Sequence, residues 1–290
     1  MLPYIEIGQM NIPMYGVCCA VGLALAIVIV SLTSKYRDMK RETTLYAGML
    51  CVIGGFLGAK LLYLLVELDS YIQNPELLRY AIFSGFVFYG GLIGGILTGM
   101  LVTKKLKLDV LGFADLAAAP VAIGQAMGRV GCFFAGCCYG CETDGDFCVV
   151  FPAGSDAPAG VKLVPTQLME AAFLILLTVA LIVMLKKVKR RGLTAGVYLV
   201  AYAVWRFFIE FYRADERGSV GALSTSQFIS LFLLPIGIAL IVYAFHGNSS
   251  RRITPVCDST AECAAQSTAH LSDAADEQPD EPSEGDSGSA

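Results

Sequence analysis

The chain has 290 residues, of which 56% are hydrophobic and only 16% are charged, and its mean hydropathy is +0.63. A soluble domain carries about 25% charged residues, so this composition indicates a protein that crosses a membrane several times. The net charge of −4 reflects residues 253–290, which hold nine acidic residues and no Lys or Arg. The remainder is mildly basic, and nothing indicates binding to nucleic acid.

Seven apolar stretches are long enough to cross a bilayer, which takes about 20 mostly apolar residues. No Lys or Arg precedes the first stretch, as the basic region of a cleavable signal peptide would, so a retained first span is expected. The predicted spans are 13–33, 44–66, 84–102, 110–131, 165–185, 193–212 and 226–245.

The basic residues predict the orientation of these spans. Most lie in four clusters that a seven-span count places on one side, at 35–41, 104–107, 186–191 and 251–252. Lysine is scarce in the loops on the other side, at 67–83, 132–164 and 213–225. By the positive-inside rule, the N-terminus is outside and the C-terminus is cytoplasmic.

Two regions are therefore expected. Residues 1–248 form an all-α membrane domain of seven transmembrane helices. Residues 249–290 are acidic, rich in Ser and Pro and free of aromatic residues. Such a segment buries too little apolar surface to fold, so it is predicted to be a disordered cytoplasmic tail.

Polar side chains within the predicted spans lie almost all at the outer ends of six of them. Ionisable groups at bilayer depth are costly and usually line a cavity or a substrate path. The set comprises Tyr15, Lys60, Tyr63, Tyr89, Gln125, Arg129, Gln167, Glu170, Tyr202, Arg206, Glu210 and Arg213. Only Asp115 lies near an inner end. The distribution predicts one cavity open to the outer leaflet, whereas a transporter would place polar groups through both leaflets.

The sixth span carries a polar stripe, because Tyr202, Arg206, Glu210 and Arg213 share one helical face. Arg206 and Glu210 are spaced to pair. The pair is either a structural salt bridge or part of a clamp for a phospholipid head group. In the second case Arg129 and Lys60 contribute, since a guanidinium binds phosphate through two hydrogen bonds.

Glycines recur at four-residue spacing in the second and third spans, at Gly54 and Gly58 and then at Gly91, Gly95 and Gly99. Small residues at this spacing let helix backbones approach closely in lipid, so these spans are predicted to pack tightly. Alternatively, Gly90 and Gly91 expose their backbone to a ligand.

The chain has 10 cysteines, and five of them lie between residues 132 and 148 in the pattern C-x4-C-C-x2-C-x6-C. Disulfides, free thiols and a metal site all remain open. A zinc or iron–sulfur site needs about four ligands, and Cys138 and Cys141 supply only half of one, so no metal or other cofactor is expected. A Cys–His catalytic pair is excluded, because His246 and His270 are predicted to be cytoplasmic.

Six segments, in this order along the chain, resemble the bacterial prolipoprotein diacylglyceryl transferase family. They are "YG" at 15–16, "GGFLGAKLLY" at 54–63, "FYGGLIGG" at 88–95, "GQAMGRVGCFFAGCCYG" at 124–140, "PTQLMEA" at 165–171 and "YAVWRFFIEFYRAD" at 202–215.

The resemblance implies a multi-pass enzyme of the bacterial cytoplasmic membrane with seven spans and an outer N-terminus. Such enzymes transfer the diacylglyceryl group of phosphatidylglycerol to the lipobox cysteine of a preprolipoprotein signal peptide, releasing glycerol phosphate. This is the first step of lipoprotein maturation, and it takes place at the outer leaflet. The expected partners are phosphatidylglycerol, preprolipoproteins and membrane lipids.

The resemblance also assigns functional positions, which are Tyr15, Arg129, Gly140, Arg206 and Glu210. The chain departs from the family pattern at several others. Tyr89 and Val164 replace histidines, Lys60 replaces an arginine, Cys132 replaces an asparagine and Cys137 a glutamate. These substitutions resemble a distinct, cysteine-rich branch.

The predicted catalytic residues are Arg129, Arg206, Glu210 and Tyr89. The arginines neutralise the departing phosphate, and Glu210 orients Arg206 or accepts the thiol proton. Tyr89 is the alternative base, unless the reaction uses no dedicated base. The predicted substrate-binding residues are Tyr15, Lys60, Gly90, Gly91, Gly128, Gly140, Gln167, Glu170 and Tyr202.

Three other functions remain open. One is a divergent phospholipid-dependent transferase with a different acceptor. Another is a non-enzymatic lipid-binding or transport protein. The third is a membrane thiol–disulfide protein that uses Cys138 and Cys141, although its setting is unlike thioredoxin.

Overall fold

The computed structural model describes residues 4–7, 10–74, 76, 85–214, 219–220 and 223–246. Its helices are α1 Met14–Thr33, α2 Arg41–Val66, α3 Leu68–Gln73, α4 Phe88–Lys105, α5 Val110–Ala135, α6 Thr166–Lys187, α7 Leu193–Ile209 and α8 Thr225–His246. Short 3-10 segments extend α1 and α7, at Ser34–Arg37 and Glu210–Tyr212. The predicted tail, 249–290, lies outside the described residues.

Three antiparallel two-stranded ribbons, one before α1 and two between helices, were not predicted. They pair β1 Tyr4–Ile7 with β2 Met10–Pro13, β3 Val149–Val150 with β4 Lys162–Leu163, and β5 Ser219–Val220 with β6 Leu223–Ser224. The strands have only two to four residues each and lie outside the helices, so the protein remains helical in class.

Six helical segments of the described chain are long and apolar enough to cross a membrane, which confirms a polytopic membrane protein. They are Met14–Arg37, Arg41–Val66, Val110–Ala135, Thr166–Lys187, Leu193–Tyr212 and Thr225–His246. The span predicted at 84–102 corresponds to α4, an 18-residue helix that ends in two lysines and is not one of the six. Its passage across the bilayer stays a prediction.

Helix α5 lies at the centre of the fold and packs against α1, α6 and α7. Its core face is made of small residues such as Ala119, Ala122 and Ala126, which meet Leu174 and Leu181 of α6. Small side chains let neighbouring backbones approach, which matters in lipid, where the hydrophobic effect does not drive helix association. Both ends of α5 consequently lie against several other helices.

Helices α2 and α4 pack glycine against glycine, as the four-residue spacing predicted. A β-carbon on Gly58 would collide with the Gly90 carbonyl and lie 2.9 Å from the Gly94 Cα atom, and one on Gly94 would collide with the Gly54 carbonyl. The closest face of α4 is therefore that of Gly90 and Gly94, one position before the predicted Gly91 and Gly95.

A buried ionic hub joins four segments at the beginning of α5. Arg37 donates to Asp115 through Nε at 3.1 Å and Nη2 at 3.0 Å, and both side chains are almost fully buried. Asp115 also accepts from the backbone amides of Gly192 and Ala195, each at 2.9 Å. Arg37 Nη1 donates to the Val188 carbonyl at 3.0 Å. The hub fixes the connection between α6 and α7 against α1 and α5.

The connection from α5 to α6 folds over the other end of α5. Phe151, Ala157 and Leu163 form a small buried cluster, against which Phe133 of α5 packs. Ribbon β3–β4 closes this connection, and Glu142 is bridged to Leu163 beside it. The connection is therefore a packed cap, and it holds the residues after Arg129 in place.

Candidate active site

Two buried ion pairs lie beneath this cap. Arg129 Nε on α5 is 3.0 Å from Glu170 Oε2 on α6, and Arg206 Nη2 on α7 is 2.9 Å from Glu210 Oε2. The predicted Arg206–Glu210 pair is thus confirmed. Glu170 was expected in the same cavity, but its pairing with Arg129 was not. Helix α5 ends, α6 begins and α7 ends close to these residues, so three helices contribute charges to one site.

Arg213 connects the two pairs. Its Nη1 atom lies 3.9 Å from Glu170 Oε2, its Nε atom lies 4.0 Å from Glu210 Oε2, and its side chain is only 2% exposed. Arg213 shares the polar stripe of the sixth span but was not among the predicted site residues. Its position three residues after Glu210 is the signal that could have included it.

The resulting group, named here the arginine cluster, consists of Arg129, Glu170, Arg206, Glu210 and Arg213. Three guanidinium groups and two carboxylates leave one positive charge in excess. Buried charges are costly unless they are compensated. A monoanionic group bound at this site would provide that compensation.

Hydrogen-bonding capacity is also unused in this region. Arg206 Nη2 donates to Ser226 Oγ at 2.6 Å, whereas Arg206 Nη1 is buried without a hydrogen-bond partner among the described residues. The same holds for Glu170 Oε1 and Gln167 Oε1. An unsatisfied buried polar group costs about 1–3 kcal/mol, so such atoms mark a place where a ligand or ordered water belongs.

Tyrosines extend the polar region along α7. Arg129 lies close enough to the Tyr202 hydroxyl for the two groups to interact electrostatically. The ring of Tyr202 stacks on that of Tyr198 at 6.0 Å, and the Tyr198 hydroxyl donates to Gln125 Oε1 at 2.8 Å. The structure therefore brings the predicted residues Tyr202 and Gln125 to the same side of α5 as Arg129.

Gly140 holds the cap against the end of α7. Its amide donates to the Val164 carbonyl at 3.1 Å, and Gly140 is bridged in antiparallel fashion to Arg213. A β-carbon at Gly140 would lie 2.5 Å from the Val164 oxygen and 2.8 Å from the Tyr212 oxygen. Because both obstacles are backbone atoms, only glycine fits without moving the segment that carries Arg213.

Gly128 and Tyr15 lie near Arg129 and the cysteines, Gly128 on an open face of α5 and Tyr15 packed against the same helix. A β-carbon on Gly128 would meet nothing within 4 Å, so the face of α5 next to Arg129 is open. Tyr15 packs on Gly131, where a β-carbon would lie 2.9 Å from its ring. The Tyr15 side chain is 47% exposed.

The structure places the remaining predicted residues on the α2–α4 pair. Lys60 Nζ donates to the Gly85 carbonyl at 3.4 Å and lies over the rings of Tyr63 and Phe86. Tyr89 is 37% exposed at the start of α4, where its ring meets Phe88. Gly90 and Gly91 face α2. None of these contacts joins Lys60 or Tyr89 to the arginine cluster.

Three of the cysteines form a second group at the end of α5. The sulfur atoms of Cys132, Cys137 and Cys138 all lie within 4.8 Å of one another, and no disulfide joins them. A hydrogen bond with Cys132 lowers the pKa of Cys137, but the hydrogen bond with Cys138 and burial outweigh it and raise the pKa to about 11. At neutral pH the Cys137 thiol is protonated.

Comparison with known proteins identifies the family. The model of the family "Prolipoprotein diacylglyceryl transferase" matches residues 3–243. The chain belongs to this family. The match covers all the described helices up to most of α8, so the resemblance inferred from six short segments is confirmed.

Curated relatives extend over most of the chain. A protein named phosphatidylglycerol–prolipoprotein diacylglyceryl transferase 2 from Clostridium perfringens is 43% identical over 235 residues, covering 81% of this chain and 92% of its own length. A phosphatidylglycerol–prolipoprotein diacylglyceryl transferase from Clostridium tetani is 40% identical, covering 80% and 93%. One from Dehalococcoides mccartyi is 33% identical, covering 82% and 91%.

Within this family member, the arginine cluster and the cap provide the parts for chemistry on a phosphate ester. Buried guanidinium groups supply charge and directed donors, and Ser226 supplies a hydroxyl from α8. Sequence reasoning missed Ser226, and it placed Arg213 in the polar set without assigning it a role in the site. Ser226 belongs to "STSQ" at the start of the last helix, a polar run that is also typical of an ordinary helix N-terminus.

Proposed function

We propose that this chain transfers the diacylglyceryl group of phosphatidylglycerol to the lipobox cysteine thiol of preprolipoproteins, with the arginine cluster as the phosphate site. The names of the relatives support the two substrates. The observation that carries the assignment to the cluster is the buried Arg206 Nη1 atom, for which the described part of the chain offers no hydrogen-bond partner. A phosphate oxygen is the acceptor that a guanidinium binds best.

Charge supports the same ligand. A phosphodiester carries one negative charge, which balances the excess charge of the cluster. Arg129 and Arg206 approach from different helices and would hold the phosphate from two sides. Glu210, which pairs with Arg206 and lies near Arg213, orients both guanidinium groups.

The diacyl part of the substrate needs an apolar surface next to the phosphate site. An apolar groove of about 190 Å³ lies between α7 and α8, lined by Ala203, Val204, Phe207, Phe208, Ser230, Leu231 and Leu234. Ala203 and Phe207 lie within one helical turn of Arg206 in the sequence. An acyl chain in this groove would enter from lipid while its glycerol phosphate reached the cluster.

The reaction is a displacement at carbon. The acceptor sulfur forms a bond to the terminal glyceryl carbon of the diacylglyceryl group, and the bond from that carbon to the phosphate oxygen breaks. Glycerol phosphate leaves with the electron pair, and the thiol proton is lost to a base or to water. Arg129 and Arg206 neutralise the charge that develops on the departing phosphate, which is usually the largest contribution to catalysis.

The predicted roles of Tyr89 and Lys60 are a separate part of the proposal. Both belong to the α2–α4 pair, so they would act when phospholipid lies between that pair and the cluster. Tyr15, Gly128, Gln167 and Tyr202 lie closer to Arg129 and complete the proposed substrate site, together with Gly140 in the cap and with Gly90 and Gly91 on α4.

The direct test is transfer by the purified full-length chain in detergent, with phosphatidylglycerol and a synthetic lipobox peptide. The expected product is a diacylglyceryl thioether, detected by mass spectrometry. Arg129→Ala and Arg206→Ala should each lower kcat by about 10²–10³-fold. Arg41→Ala is the matched control, because Arg41 is exposed at the start of α2. Undiminished transfer by Arg206→Ala would contradict the assignment of the arginine cluster as the phosphate site.

A peptide in which serine replaces the lipobox cysteine tests the acceptor. It should give no product, whereas transfer to it would favour the divergent transferase with another acceptor. No product with either peptide, from protein that is folded and contains its lipid, would refute the proposed reaction.

We also propose that α4 crosses the bilayer, giving seven spans with the N-terminus outside. The lysines at the end of α4 and the basic residues of 35–41 and 186–191 support this orientation. A fluorescent protein fused to the C-terminus should fold and fluoresce, and alkaline phosphatase fused there should be inactive. A non-fluorescent fusion together with an active phosphatase would place the C-terminus outside and contradict the proposed orientation.

A further inference from the structure

The helix end at Gly136 explains why three cysteines meet. Gly136 adopts a left-handed conformation with φ of 76°, and the Cys137 amide donates to the Cys132 carbonyl at 3.1 Å. This six-residue hydrogen-bonded ring is the Schellman ending of a helix. It returns the chain over its last turn and brings Cys137 and Cys138 to the side of Cys132.

The backbone that carries these thiols is held firmly. Gln167 Nε2 donates to the Cys137 carbonyl at 2.8 Å, and Thr166 Oγ1 donates to the Cys138 carbonyl at 3.0 Å. Cys138 itself has φ of 63°, a left-handed conformation that is rare without glycine and costs about 1–3 kcal/mol. Such strain persists where the surroundings impose it, and here it keeps three sulfur atoms together.

The number and spacing of the sulfurs fit a metal ion better than a disulfide. A disulfide would use two of the thiols and leave the third. A metal bound by three thiolates at about 2.3 Å separates the sulfurs by about 3.8 Å, which the separations here, all within 4.8 Å, allow with small movements. Thiolates select soft or borderline ions, of which Zn²⁺ is the common divalent example.

We propose that Cys132, Cys137 and Cys138 form a binding site for a thiophilic divalent cation, with Zn²⁺ as the reference ion, and that its fourth position is open. Structural zinc sites are closed by four protein ligands, whereas catalytic ones have three and an exchangeable position. The group found among the described residues has three. The expectation of no metal rested on the missing half of a four-ligand site, which a three-ligand site does not need.

The charges around the three cysteines favour binding of a divalent cation. Three thiols lose three protons on binding one divalent ion, so the loaded site carries one negative charge. The Arg129 guanidinium interacts electrostatically with Cys132 and Cys138, so it lowers the cost of placing that negative charge beside the end of α5. The metal site and the arginine cluster are therefore neighbours on the last turn of α5.

The use of the open position rests on the proposed function. There the acceptor cysteine would bind as a thiolate after releasing its proton to water, since a bound Zn²⁺ deprotonates a coordinating thiol. Its sulfur would then form the bond to the glyceryl carbon as the carbon–phosphate oxygen bond breaks. No electrons pass to or from the metal. The site thus supplies thiol activation without histidine.

The positions of the histidines agree with this role. His246 ends α8, 20 residues after Ser226, which places it about 30 Å along the helix from the arginine cluster. The other histidine, His270, belongs to the tail.

Metal content of the purified full-length protein is the primary test. After supply of Zn²⁺ and removal of loosely bound ions, the wild type should retain one zinc ion per chain by elemental mass spectrometry. Each of Cys132→Ser, Cys137→Ser and Cys138→Ser should lose it. Cys148→Ser is the matched control, because Cys148 lies in the same connection but outside the group, and it should retain the ion.

A second measurement needs no variant. Co²⁺ added to the wild type should give thiolate-to-cobalt charge-transfer absorption of a tetrahedral site, and Zn²⁺ should abolish it. Absence of both the retained zinc and this absorption would overturn the proposal, as would a disulfide within the group in protein purified without oxidant. Equal loss of zinc from Cys148→Ser would also overturn it.

Transfer activity separates the metal site from the proposed function. If a chelator removes the zinc and transfer continues, the role in thiol activation fails while the transferase function stands. If zinc binds as expected and the wild type transfers no lipid, the proposed function fails while the metal site stands.

Discussion

The two ends of α5 each carry a buried ionic group, and they differ in how their polar atoms are used. Asp115 near the first end and Arg129 near the second are 14 residues apart, about 21 Å along the helix. Both meet partners from other helices. Around Asp115, both carboxylate oxygens accept hydrogen bonds, and the pair carries no net charge.

The arginine cluster is built differently, since it has an excess positive charge and a buried Arg206 nitrogen that no described residue accepts a hydrogen bond from. Burial of charge therefore does not by itself mark a functional site in this protein. The two groups differ in whether their charges are balanced and their hydrogen-bonding atoms are satisfied by the described residues. The Asp115–Arg37 hub has the features of a stabilising joint, and the cluster has those of a receptor for an anion.

The largest expected effect is on stability, at the hub. Asp115→Ala leaves Arg37 buried without its carboxylate, so it should lower the free energy of unfolding by about 3–5 kcal/mol. Transfer activity per folded molecule should be unchanged. Thermal unfolding in detergent and activity normalised to folded protein measure the two quantities.

Asp109→Ala serves as the control for that substitution. Asp109 caps the start of α5 and pairs with Arg191, but it is one-third exposed, so its loss should cost about 1 kcal/mol. A hub variant no less stable than this control would contradict the structural role of Asp115.

Phosphatidylglycerol should stabilise the protein through the cluster and not through the hub. At a concentration 100 times its Kd, a ligand of the native state adds about 2.7 kcal/mol, which thermal unfolding detects. The stabilisation should survive in Asp115→Asn and disappear in Arg206→Ala.

Diacylglycerol is the matched lipid for this measurement, since it has the acyl chains without the phosphate. Equal stabilisation by diacylglycerol would show that the acyl chains alone account for binding. It would contradict the assignment of the arginine cluster as the phosphate site.

Gly140→Ala should have an intermediate effect on both stability and activity. Its methyl group meets two backbone carbonyls and must displace the segment bearing Arg213, at a cost typical of overpacking, about 1–3 kcal/mol. Gly145→Ala in the same connection meets only the Thr143 hydroxyl at 3.3 Å and is the control. Equal stability and equal kcat for the two variants would show that the Gly140 contact does not position Arg213.

The smallest effect is expected for Gly128→Ala. A methyl group there meets no protein atom, and alanine favours the helix by up to about 1 kcal/mol, so stability should rise slightly. If the open face receives phospholipid, KM should rise as well. Gly124→Ala, one turn earlier and equally open, should raise stability with little change in KM. An unchanged KM for Gly128→Ala would place the phospholipid elsewhere.

The helices could be predicted from the sequence because apolar runs and basic flanks define them directly. The predicted first and last residues differ from those of the structure by a few positions, as at 226–245 against Thr225–His246. The glycine packing was also predictable, but its register was not, because Gly90 and Gly91 satisfy the same spacing.

The parts that escaped prediction depend on contacts between distant segments. Nothing local to Glu170 indicates Arg129 as its partner, which requires α5 and α6 to end at the same level. The cysteine group depends on the left-handed turn at Gly136, and the cap depends on Phe151 meeting Phe133. The composition of the connection between α5 and α6 does not by itself indicate that this segment folds.

The hub at Asp115 has a consequence for biosynthesis. A lone aspartate in a membrane helix raises the free energy of insertion by about 2.5–3.5 kcal/mol. Arg37 is synthesised before Asp115, but the amides of Gly192 and Ala195 follow some 80 residues later. The translating ribosome must therefore deliver the first turn of α7 before the hub is complete, and until then α5 depends on α1 to retain its buried carboxylate.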